Sequence, residues 1–187
     1  MGTYVRTLGC VRWDLLWADL TSQADAWERA ELDGDVAERE LIEAGAIVWM
    51  DRLRGSTGRP VTCRTRGGAV WRGQVHAHGA DFVALASPGL DLPSHVVLRA
   101  GGIQAVVGLA GRAVPVEALG PVASRRTFAS ILRRAAVQRL GVAVHLDDGD
   151  VVAGDIGRVG RDYVDVADPA SRVTSVVVDA IVALTPR

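Results

Sequence analysis

The sequence predicts an α+β chain: an N-terminal acidic helical arm, then two tandem small five-stranded β-barrels joined by a linker and one helix. Three observations predict it. A shift of 81 residues aligns two stretches without a gap, apolar residues alternate with period two through both, and apolar residues at near-heptad spacing fill the stretch before them. The implied organisation is an extension over 1–10, the arm over 11–55, a first barrel over 56–110, a linker and helix over 111–140, and a second barrel over 141–187.

Met1–Cys10 lacks a basic stretch followed by an apolar one, so it is not expected to be a signal peptide. It is read either as a disordered extension or as sequence upstream of a true start at Val11. Helical pattern begins at Val11, with Trp13, Leu16, Leu20 and Trp27 on one side of a helix over 12–32. Asp33-Gly34-Asp35 breaks it, and a second helix is expected over 36–53, with Ile42, Trp49, Met50 and Leu53 on its apolar side.

The repeat carries most of the fold argument. Val61 falls on Val142, Gly68 on Gly149, Val70 on Val151, Gly73 on Gly154, Gly79 on Gly160, and Asp81-Phe82-Val83 on Asp162-Tyr163-Val164. Beyond Pro88 and Pro169 the register slips by a few residues, and Ile103–Val106 then resembles Ile181–Leu184. Val61, Cys63 and Thr65 alternate with Thr62, Arg64 and Arg66, as do Val142, Val144 and Leu146 with their neighbours, which is the signature of a half-buried strand. Arg66-Gly67-Gly68 and Asp147-Asp148-Gly149-Asp150 supply turns that need positive φ. Second strands follow near 70–77 and 151–158, each with an interior glycine that marks a bend or a close backbone approach. Third strands are expected at 81–86 and 162–167, and fourth strands at 95–99 and 174–178. A short fifth closes each unit, because closure removes exposed edges. Units of about 50 residues are marginal alone, so the two are expected to lean on each other or on the helices. Residues 111–124 read as a linker, and Thr127 or Ser124 caps a helix near 128–140.

The stretch Val142–Val166 has the form V-x-V-x-L-D-D-G-x-V-x-x-G-x-I-x-x-V-G-x-D-Y-V-x-V. It resembles the bacterial Sm-like and SH3-like barrel families, including the PRC-barrel type, and the likeness covers both repeats. Arg12-Trp13-Asp14-Leu15-Leu16, the following acidic helix and Asp51-Arg52-Leu53-Arg54 are similar to an actinobacterial protein family with such tandem barrels. The resemblance implies a fold. It implies no RNA site, because Asp81–Leu85 and Asp162–Val166 lack the Met and Asn of the RNA-binding Sm pattern.

The composition narrows the function classes. The formal net charge of −1 hides four Arg against ten acids in 1–50, thirteen against four in 51–140, and four against eight in 141–187. A basic middle meets either an anionic partner or the chain's own acidic arm. No run of about 18 apolar residues is present, so no membrane partner is expected. Cys10 and Cys63 form neither a disulfide framework nor a zinc pattern and read as reduced thiols of a cytoplasmic protein. The nucleophile, phosphate-loop and zinc-protease motifs are all missing, so the chain is expected not to be an enzyme and to need no cofactor.

Candidate residues fall in three groups. Arg64, Arg66, Arg72, Arg125, Arg126, Arg133 and Arg134, with Phe82 as a stacking platform, would suit nucleic acid. His76 and His78 alternate on one strand and, with Asp81, would suit a metal, although the second repeat has Gly157 and Val159 there. Trp13, Trp17, Trp27 and Trp49 are read first as core packing and second as anchors for a protein partner or for self-association through the arm. The leading expectation is a non-catalytic cytoplasmic binding module acting through protein contacts. The alternative is a nucleic-acid-associated regulator, and a small enzyme ranks third.

Overall fold

The computed structural model describes residues 45–86 and 95–187. The proposed extension and most of the arm, with Trp13, Trp17 and Trp27, lie outside the described residues. Strands β1 to β10 span Pro60–Thr65, Val70–His78, Phe82–Ala86, His95–Arg99, Ile103–Val107, Gly141–Leu146, Val151–Val159, Tyr163–Ala167, Val173–Val177 and Ile181–Pro186. Helices α1 (Trp49–Arg54), α2 (Gly120–Ala123) and α3 (Phe128–Gln138) flank them. Among the described residues no helix is long and apolar enough to cross a membrane.

The repeat is present strand for strand. β1, β2 and β3 begin 81 residues before β6, β7 and β8, while β4 and β5 begin 78 residues before β9 and β10. The register slip therefore falls between the third and fourth strands. A 3-10 turn precedes the fifth strand in both copies, Ala100–Gly102 and Val178–Ala180. In each copy four strands form an antiparallel meander, and the fifth returns to the first, β5 on β1 and β10 on β6.

Two separate barrels do not form, and this corrects the expected fold. The strands make one ten-stranded sheet in the order β5-β1-β2-β3-β4-β10-β6-β7-β8-β9. The joint is β10, which pairs with β6 on one side and with β4 on the other, Ala183 facing Leu98 and Leu184 facing Val97. The cores cross the joint as well. Val182 and Ala183 pack with Cys63, Val83, Leu85 and Leu98 of the first repeat and with Leu53 of α1, and Phe82 packs with Val144 and Val164 of the second repeat and with Phe128 and Leu132 of α3. The physical reason is size. A five-strand unit leaves two strand edges and a shallow core, and sharing β10 satisfies one edge of each repeat while deepening both cores.

Mid-strand glycines curl the sheet by letting backbones touch. A Cβ on Gly154 would lie 2.1 Å from the Ala167 carbonyl oxygen, and one on the equivalent Gly73 would lie 2.6 Å from that of Ala86. Neither contact is tolerable for any larger residue.

The helix expected over 36–53 is interrupted: Ile47 and Val48 are not helical, and Val48 is extended with φ −80° and ψ 140°. Two successive β-branched residues favour that extended backbone, so α1 starts afresh at Trp49. It buries Met50 and Leu53 in the first core. Arg54, 5% exposed, pairs with Asp51 and donates to the Gly79 and Ala80 carbonyls, which fastens α1 to the β2–β3 turn. The linker is partly ordered as a 3-10 turn, Val116–Leu119, and the short α2. Thr127 caps α3 in a reciprocal capping box with Ser130. Phe128, Leu132 and Ala135 face the core from α3, and the helix ends where Arg139 turns left-handed at φ 49°.

Candidate functional site

The sequence candidates disperse on folding. His76 and His78 do not share a face as expected. A β-bulge between Val75 and Ala77 breaks the alternation on which that expectation rests. His76 instead lies against His95, ring centroids 4.8 Å apart. His78 Nδ1 is buried and has no hydrogen-bond partner among the described residues, and burial, then Arg54, then Arg126, hold its pKa below the ordinary 6.5. Asp81 accepts a 2.7 Å hydrogen bond from the Phe128 amide at the start of α3. Among the described residues no three His, Cys, Asp or Glu converge on a metal position.

Phe82 offers no stacking face. It is 3% exposed, and its ring occupies the space above Gly79, where a Cβ would come within 2.3 Å of it. Cys63 is buried, which pushes its thiol up to about 11 and removes it from nucleophilic chemistry near neutral pH.

The seven arginines are all exposed, and among the described residues none forms an ion pair. Arg64 and Arg72 are diagonal neighbours on the outer face of the β1–β2 pair, since Arg64 faces Val70 and Arg72 faces Thr62. Arg125 and Arg126 precede α3, and Arg133 and Arg134 lie on its exposed side. Trp49 is 37% exposed and borders a cavity of about 150 Å³ with Ile103, Gln104, Ala105, Val106 and Leu109.

The sheet ends are what sequence reasoning missed. Among the described residues, β5 pairs only with β1 and β9 only with β8, so each carries one row of backbone N–H and C=O groups without a partner. Neither strand holds a charged residue or a proline, the usual protections of an edge. Val107 is 70% exposed on β5, and Val173 and Val177 are 62% and 57% exposed on β9. Uncharged, proline-free composition was the available signal, but it reads as an interior strand until the strand order is known. An apolar groove of about 520 Å³ lies elsewhere, bordered by Val97, Ile131, Leu140, Val142, Leu184 and Pro186 beside the β4–β10 joint.

Neither a scan against protein-family models nor a search of curated proteins finds a match to this chain.

Proposed function

We propose that the chain is a non-catalytic cytoplasmic binding module that acts through protein–protein contact, with strand addition as its mode of recognition. One observation carries this reading: among the described residues the sheet terminates in two uncharged, proline-free strands that carry the exposed Val107, Val173 and Val177. A strand edge binds through main-chain hydrogen bonds, and the alternate side chains supply selectivity. A protein that left such edges without a partner would aggregate. The test is affinity capture from a nuclease-treated extract, comparing the native chain with a variant that carries Val107→Lys and Ser175→Lys. Both positions are exposed, so the lysines change the edges and spare the core. Polypeptides held by the native chain and lost by the variant are the expected result. Identical capture by both would count against strand addition.

A second reading, a nucleic-acid-associated regulator, draws on the exposed Arg64–Arg72 neighbours and the arginines around α3. It requires affinity for RNA or duplex DNA that falls steeply with salt, with a log–log slope set by the number of phosphates met. Absence of binding at low salt removes it.

A further inference from the structure

The internal repeat says what the two edges fit. Strand β4 of the first repeat pairs with β10 of the second. By repeat equivalence β9 stands where β4 stands, and β5 stands where β10 stands. The equivalent pair, β9 with β5, is not formed within the chain: the two strands are the opposite ends of the sheet. The relation between the repeats is therefore not a closed two-fold, and applying the same step again places the next β5 on the outer edge of β9.

We infer that β9 of one copy pairs antiparallel with β5 of the next, repeating between molecules the joint that β4 and β10 make within one. This rests on the protein-binding reading above and names the partner as a second copy of this chain. The register carries over directly. Ala183 opposite Leu98 becomes Ala105 opposite Val176, and Leu184 opposite Val97 becomes Val106 opposite Ser175. Exposed Val177 takes the place of Arg99, and Gly101 takes the place of Asp179. The internal joint is held by Arg99, which donates to the Ile181 and Asp179 carbonyls at 3.0 and 2.6 Å and to the Asp179 carboxylate at 2.9 Å. The intermolecular joint lacks these bonds and substitutes apolar contact, which makes it the weaker and the reversible one. Its geometry also differs slightly. Gly102 abuts Val182 so closely that a Cβ would lie 2.8 Å from the Val182 Cα, whereas the equivalent residue on the β9 side is Ala180. The molecules must open by a few tenths of an ångström there.

The contact is head-to-tail. It generates a ring where the rotation closes and a filament where it does not, and it never generates a symmetric β9–β9 pair.

The experiment uses the full chain of 19.8 kDa in sedimentation across a range of concentrations. The native chain should gain mass with concentration. Ser175→Lys, which inserts an ammonium opposite Val106, should remain a monomer. Val177→Arg restores the Arg99 chemistry at the joint and should tighten association by about tenfold, the gain of one or two hydrogen bonds to the facing carbonyls. In a Cys10→Ser background, Ser175→Cys and Val106→Cys chains should form a disulfide when mixed and none when kept apart, because facing residues across strands lie within disulfide reach. A native chain that stays monomeric at every concentration overturns the inference, as happens if the chain's own N-terminal segment covers an edge. So does cross-linking of Ser175→Cys to itself. Capture of other polypeptides by a monomeric native chain, lost with Ser175→Lys, would overturn the self-pairing and leave the protein-binding reading standing.

Discussion

Leu98→Ala tests whether the ten strands unfold as one body. Leu98 is fully buried on β4 and faces Ala183 across the joint, within a core that draws on both repeats. Truncating a leucine so enclosed removes its transfer free energy and leaves a cavity, and the cost is about 2–5 kcal/mol. Taking about 3 kcal/mol with a urea slope of about 2 kcal/mol per molar, the midpoint should fall by about 1.5 M. Leu98→Val, a smaller loss of about 1 kcal/mol, should shift it by about 0.5 M and serves if the alanine variant does not fold. The assay is hydrogen exchange by mass spectrometry along a urea series, with peptides from β1–β3 and β6–β8 followed separately. Because β10 belongs to both repeats, the two sets of peptides should shift together and by the same amount. A first repeat that melts early while β6–β8 keep the native midpoint would refute the shared-strand account and restore two independent units.

Arg99→Ala should cost about 1–2 kcal/mol, because it removes hydrogen bonds to two backbone carbonyls at a largely buried site, whereas Asp179→Asn should cost less than about 1 kcal/mol. Asp179 is 90% exposed, so equal losses in thermal unfolding would contradict this division. Gly154→Ala should destabilise by at least about 2 kcal/mol, since the Ala167 carbonyl would have to move, and should cost more than Gly73→Ala; a Gly154→Ala variant with native melting temperature would disprove the close approach. His78 and His145 are both held below the ordinary pKa of 6.5, chiefly by burial. The folded chain then binds fewer protons than the unfolded one in that range. Stability is full above about pH 6.5 and declines as pH falls through the folded values. The urea midpoint should drop as the pH falls below about 6.5, and His145→Gln should reduce the drop; a flat profile would show that burial does not perturb these rings.

Much of the local structure was legible in the sequence. Period-two alternation at Val61, Cys63 and Thr65 and the repeated glycines placed the strands, because inward side chains and backbone bends are set by neighbours along the chain. Thr127 was legible only as one of two cap candidates, with Ser124; the structure gives it the cap, its partner Ser130 being three residues away. The candidate site was hardly legible. His76 and His78 were read with strict alternation, and the bulge that separates them depends on how β2 meets β3. Phe82 was a stacking candidate until its ring was seen to cover Gly79 within the core. Trp13, Trp17 and Trp27 fall outside the described residues and bear on neither point.

The amino-acid order by itself determined the two-copy plan: to within a residue or so where the first four strands of each copy lie, where the glycines bend the strands, and which helix leads into the second copy. These follow from interactions spanning a few residues and from the recurrence of one pattern. Only the tertiary structure decided that β10 lies between β4 and β6, and therefore that β5 and β9 are left at the ends. Backbone hydrogen bonds are the same for every residue type, so nothing in a strand's composition names the strand it will lie beside.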